Sequence, residues 1–193
     1  MVLTRLLKSS DDTGPLPLEL WHPEPCGSLD IRIDRDGAWW HEGSLVEHPR
    51  VLRALTRLLR READDHYHLV TPIEKWRIWV DDYPFLVVDA WHKVDEANVS
   101  ESLNSWMLAA SSGEVVCLGE RHRFTLDDTD VPTVNLSHGL AARLSRQTWY
   151  QLIEQAETFV DDQGRCHVGL YSAGIWQPLG HPLDASDPSA GQP

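Results

Sequence analysis

The chain is short of the residues that announce chemistry. Its three cysteines, Cys26, Cys117 and Cys166, are far apart and odd in number, which speaks against a disulfide framework or a metal knuckle and suits a reducing compartment. Basic residues are scarce: 17 stand against 30 acidic ones, for a formal charge of −13. A surface that acidic repels phosphate backbones and anionic lipid, so bulk nucleic-acid and membrane-surface binding are disfavoured, although a local basic patch can still hold one anion. No apolar run approaches the ~18 residues of a membrane span. The segment from Met1 to Leu7, interrupted by Arg5, is too short for a signal peptide. The expectation is a cytoplasmic protein.

Catalytic signatures are missing as well. No Gly-x-Ser-x-Gly elbow surrounds a serine, and no glycine-rich loop stands between a strand and a helix. The carboxylate pairs Asp81-Asp82 and Asp127-Asp128 fall in turns, which acids favour anyway. His66 and His68 share one face of a strand, but two ligands do not make a metal site. No catalytic residue, metal or cofactor is therefore expected.

What is present is a 41% hydrophobic chain of 193 residues, enough for one sizeable core or two small ones. Nine tryptophans accompany only three phenylalanines. Most sit in strand-like segments, where cross-strand aromatic pairing accounts for them. A base-stacking platform needs basic surroundings that these segments lack.

Along the chain, residues 1 to 19 read as a flexible tail. Leu29, Ile31 and Ile33 then alternate with polar residues, and Asp36-Gly37 supplies a tight turn into Ala38-Trp39-Trp40-His41. A helix is predicted from Pro49, with Val51, Leu52, Leu55, Leu58 and Leu59 on one face and Arg50, Arg53, Arg57, Arg60 and Arg61 on the polar side. Those arginines read either as a solvated face or as a partner-facing surface. Next come strands meeting at the proline corner Thr71-Pro72, where proline fixes its own φ and biases the preceding residue towards extended geometry. A continuous apolar strand follows from Phe85 to Trp91, with burial on both faces expected, and then a polar loop from Lys93 to Glu101. Strands around Ser111-Ser112-Gly113, at Phe124 and at Val134 follow, with a charged turn at Asp127–Asp130. A second helix is predicted from about Leu140 to Phe159, and a final hairpin runs from Cys166 to Trp176. Past His181 the composition predicts disorder.

Both parts place a helix between strand pairs, without regular βαβ alternation. The fold class is therefore α+β, as two antiparallel α+β halves with repeated strand-helix-strand motifs. The expected boundaries are a tail over 1–19, a first domain over 20–80, a second over 81–180 and a disordered tail over 181–193.

The runs "DIRIDRDGAWWHEG" and "LVTPIEKWRIWVDDYPFLVV", with the later "SHGLAARLSRQTWYQL" and "GLYSAGIWQPLG", resemble a bacterial family catalogued as domain of unknown function 1285. The resemblance covers roughly residues 20 to 180. It implies two α+β halves, the C-terminal one loosely like a pleckstrin-homology barrel, and a small, nucleotide-like ligand between them with a role in signal transduction. Carried over residue by residue, it points to Arg35, Asp36, Gly37, Thr71, Pro72, Glu74, Lys75, Asp82, Pro84, Phe85, Gly139, Leu140, Ala142 and Arg146. Asn104 to Met107 and Ser137 depart from the family's pattern.

The candidate ligand-binding set is Arg35, Thr71, Glu74, Lys75, Asp82, Arg143 and Arg146. Arginine grips an anion bidentately, lysine adds a point charge and threonine donates or accepts. The same residues also read as an ion-pair network, because buried charges are paired whether or not a ligand exists. Three functions stay open. One is a binder of a small anionic or nucleotide-like molecule at the junction of the halves. Another is a protein-interaction or scaffold module, a homodimer included. The third, a hydrolase, has no complete constellation behind it.

Overall fold

The computed structural model describes Gly14 and residues 16–93, 105–126 and 132–184. Two compact units emerge. The first is Met1–Leu86 with Leu136–Ala141, and the second is Val87–Asn135 with Ala142–Pro193. The seam expected after Val80 thus falls after Leu86, and a short later segment returns to the first unit.

The first unit is a six-stranded sheet in the order β3-β2-β1-β6-β5-β4 with one helix. Its strands are β1 (Pro25–Ile33), β2 (Trp39–His41), β3 (Ser44–Leu45), β4 (Leu59–Arg61), β5 (Tyr67–Val70) and β6 (Lys75–Val80), with α1 over Pro49–Leu58. The β1–β2 hairpin turns at Gly37, whose φ of 77° costs glycine little. Asp34 secures that turn by accepting the N–H groups of Asp36 at 3.0 Å and Ala38 at 2.9 Å and the Trp40 indole N–H at 2.8 Å. Alternation puts Ile31, Ile33, Leu69 and Ile78 in the core, joined by Ala54, Leu55 and Leu58 from α1. Each fully buried Leu or Ile contributes about 1.5–3 kcal/mol. One ladder departs from the antiparallel expectation, since β1 and β6 run parallel. The hairpin, helix and β4–β5 turn between them bring the chain back in its original direction.

Helix α1 is shorter than its periodicity predicts. Leu59 turns extended at φ −75°, ψ 132°, and Leu59, Arg60 and Arg61 pair with Leu69, His68 and Tyr67 as β4. Strand pairing buries Leu59 fully and leaves Arg60 only 8% exposed, so tertiary context overrides helical spacing. Arg60 donates to the Leu18 carbonyl and, at 3.0 Å, to that of Trp21. Leu18, in a 3-10 turn over Leu18–Leu20, is itself buried. The tail expected over 1–19 therefore contributes to the core at its end.

The second unit holds two sheets. In the first, β10 (Phe124–Leu126), β11 (Pro132–Asn135), β12 (Ala141–Leu144), β7 (Phe85–Lys93), β8 (Ser105–Ala110) and β9 (Val115–Cys117) lie in that order. In the second, β14 (Arg165–Ser172) is flanked by β13 (Glu157–Val160) on one side and by β15 (Ile175–Pro178) and β16 (Leu183–Asp184) on the other. Buried polar groups tie the sheets together. Ser172 donates to the Leu118 carbonyl and accepts the Trp106 N–H at 2.8 Å, and Gln177 accepts the Phe124 N–H at 3.1 Å.

Three expectations change here. The long second helix reduces to α2, Arg146–Ile153, which starts where Ser145 Oγ accepts the Thr148 N–H at 3.2 Å. Upstream, Ala142 and Leu144 alternate into the core as β12, and downstream Glu157–Val160 pairs with β14. The β7 strand is buried on one face only, with Phe85, Val87 and Ala90 inside and Val88 and Trp91 substantially exposed. Leu183 and Asp184 pair with Cys166 and Arg165, so order extends past His181. The charged turn at Asp127–Asp130 and the polar loop beyond Lys93 lie outside the described residues.

Candidate anion-binding face

The corner at Thr71 is closed by its own atoms. Thr71 N–H donates to the Glu74 carbonyl at 2.8 Å, while Oγ1 accepts the N–H groups of Glu74 at 3.0 Å and Ile73 at 3.4 Å. The threonine is 2% exposed, so its hydroxyl serves the turn. The Glu74 carboxylate stands 3.4 Å from the Trp76 indole nitrogen. Lys75 Nζ is 3.7 Å from Glu62 Oε1, the oxygen that also pairs with Arg60. Burial works against the Glu62 charge, but the Arg60 hydrogen bond and the Arg60 and Lys75 charges hold its carboxyl below the usual range.

Cross-strand register extends this cluster. Arg60 and Arg77 both stand opposite His68, and Lys75 stands opposite Val70. Directly opposed residues share a face, and residues two apart on a strand do too. Arg60, His68, Lys75, Arg77 and Trp79 therefore occupy the face away from Leu69 and Ile78. His68 is buried, with Nδ1 3.3 Å from the His66 carbonyl, and burial pushes its imidazole below the ordinary histidine value. Arg77 is half-buried, and its guanidinium makes no hydrogen bond or ion pair among the described residues. Trp79 is 47% exposed beside it.

The other expected site residues are dispersed. Arg35 lines a shallow depression where β1 and β6 both end, together with Arg32, Asp34, Asp36 and Asp81. Arg32 grips Asp81 with both ends of its guanidinium, Nε lying 2.8 Å from Oδ1. Three carboxylates outnumber two guanidiniums there. Asp82 is half-buried in the turn after β6. Arg143 sits on β12 and Arg146 opens α2, both in the second unit. The expected ligand set left out Arg77, and it weighed His68 only as one of two strand imidazoles that fall short of a metal site. The signal was the period of two in Lys75-Trp76-Arg77-Ile78-Trp79, which sets both cations on one side. Among the described residues, no group of three or more His, Cys, Asp or Glu is placed to hold a metal, and no helix is long and apolar enough to cross a membrane.

Two family models match in tandem. Residues 16–83 match "Domain of unknown function (DUF1285), N-terminal domain", and residues 84–179 match "Protein of unknown function (DUF1285), C-terminal domain". The chain belongs to the DUF1285 family. A DUF1285 family protein from Silicibacter pomeroyi DSS-3 is 31% identical with a TM-score of 0.78, over 92% of this chain and 94% of its own. Another DUF1285 family protein, from Shewanella baltica OS155, is 24% identical with a TM-score of 0.51, over 66% of this chain and 92% of its own, a likeness of fold. No curated protein matches the chain. The DUF1285 likeness bears out the two-part α+β reading.

Proposed function

We propose that this DUF1285 protein binds a small anionic ligand, with nucleotides the first class to test and signal transduction as its setting. The ligand lies on the polar face of the first unit's sheet. The observation that supports this reading is Arg77, a half-buried guanidinium without a partner among the described residues. A cation partly withdrawn from water ordinarily finds a counter-charge in its own chain, and Glu62 is already engaged by Arg60 and Lys75. Arginine holds a phosphate or carboxylate bidentately. Two residues along, the exposed Trp79 ring offers a surface for a flat group. His68, kept neutral by burial, gains a reason to take a proton when an anion arrives.

Thermal-shift and calorimetric titrations with nucleoside mono- and diphosphates and with inorganic phosphate test this. The expected result is saturable stabilisation of the wild type, weakened in Arg77→Ala and unchanged in Arg146→Ala on the second unit. No stabilisation of the wild type, or equal stabilisation of a folded Arg77→Ala protein, rules the reading out.

A further inference from the structure

The second unit carries an open strand edge. All four residues of β13 are exposed, and β14 is its sole strand neighbour among the described residues. The Asp161 N–H donates to the Arg165 carbonyl at 2.9 Å. Bonded and unbonded pairs alternate in an antiparallel ladder, so Phe159 and Glu157 turn their backbone groups towards β14. Thr158 and Val160 turn theirs outward. Val168, opposite Thr158, has its carbonyl taken from the other side by the Leu179 N–H at 3.0 Å, as that alternation requires. No described residue meets the outward groups.

Natural sheets guard such edges with brevity, charge, proline or a bulge; β13, Glu157-Thr158-Phe159-Val160, is short and carries one charge, but it has no lysine or proline and no bulge in its pairing with β14. Each face of the strand carries one apolar side chain, Phe159 beside Glu157 on one and Val160 beside Thr158 on the other. Phe159, 42% exposed, stacks on His167 at 4.7 Å and meets Trp176 edge-on at 4.9 Å. Tyr171, 54% exposed, continues the row at 5.1 Å from Trp176. Val160 is 61% exposed on the opposite face. The rim is acidic, with Glu154, Glu157 and Asp162 exposed.

We propose that β13 receives an extended segment of a partner protein as an added strand, apolar at alternate positions and flanked by lysine or arginine. Outward backbone groups supply the ladder, the aromatic row takes the apolar side chains, and the acidic rim selects basic flanks. Charge also disfavours a second copy as the occupant. In the register that sets Phe159 against Phe159, Glu157 falls opposite Asp161 twice, and in any register two edges rimmed by Glu154, Glu157 and Asp162 repel one another.

The test uses the full chain and a fluorescein-labelled peptide, Lys-Arg-Val-Thr-Val-Tyr-Arg-Lys, against a counterpart with Glu and Asp at its ends. Anisotropy is expected to saturate with the basic peptide and to be about tenfold weaker with the acidic one, the gap closing in 1 M salt. Thr158→Pro removes an outward N–H without touching the β14 ladder and is expected to weaken binding about tenfold or more. A basic peptide N-methylated at alternate residues does the same with no change to the protein. Absent saturation with folded wild type, equal affinity for both peptides, or insensitivity to both Thr158→Pro and N-methylation each overturns the proposal. So does a dimer in sedimentation that Thr158→Pro dissolves.

Discussion

The Trp176 ring lies over Gly169 so closely that a β-carbon at 169 would come within 2.5 Å of the indole Cζ2 and closer still to the Gln177 carbonyl oxygen. The two residues sit diagonally across the β14–β15 ladder, where Gly169 opposes Pro178 and Tyr171 opposes Trp176. Glycine is required here by space. Gly169→Ala is expected to cost about 1–3 kcal/mol, the usual penalty for overpacking. Urea denaturation measures it, and a midpoint equal to the wild type's means that the ring and the Gln177 backbone both yield freely.

Thr71 predicts a second loss of stability. Replacing it with valine keeps the shape but removes the oxygen that accepts the Glu74 N–H at 3.0 Å. A buried donor left without a partner costs about 1–3 kcal/mol. Thr71→Ser is expected to restore most of it. Equal urea midpoints for Thr71→Val and the wild type would show that the turn does not depend on this hydroxyl.

His68 links stability to pH. Burial holds its folded-state pKa below the ordinary 6.5, so the unfolded chain takes up the proton more readily. Its contribution to stability is therefore complete above pH 6.5. It declines as the pH falls through 6.5 and levels off below the folded-state value. Thermal midpoints from pH 8 to pH 5 are expected to fall less steeply in His68→Gln than in the wild type. Parallel curves for the two proteins would assign the pH dependence elsewhere.

Short-range patterns carried much of the fold. Ile31 and Ile33 alternate with polar neighbours and Asp36-Gly37 supplies a turn, and the β1–β2 hairpin appears where those residues put it. Helix α1 begins at Pro49 as its first-turn proline predicts. Its end was not legible, because Leu59 satisfies the helical spacing equally well. Only pairing with Leu69, ten residues on, draws it into β4. The second helix misled in the same way. Leu140 and Leu144 lie four apart, compatible with a helix, and also an even number apart, compatible with a strand face. The sheet resolved that ambiguity by taking 141–144 as β12.

The candidate site divides along the same line. Thr71, Glu74 and Lys75 stand out because they follow one another at a proline corner. Arg77 does not, since nothing local distinguishes a paired arginine from an unpaired one. Glu62 is thirteen residues before Lys75 in the chain yet 3.7 Å away in space, and with Arg32 held by Asp81, Arg77 is left as the cation of the face without an ion pair among the described residues. By itself, the sequence determined the α+β class, the hairpin turns, the acidic charge and the corner at Thr71, all set by neighbours a few residues apart. Only the tertiary structure decided the helix ends, the parallel β1–β6 ladder, the open edge at β13 and the position of Arg77. Those depend on which distant strand arrives to accept a backbone hydrogen bond or a charge.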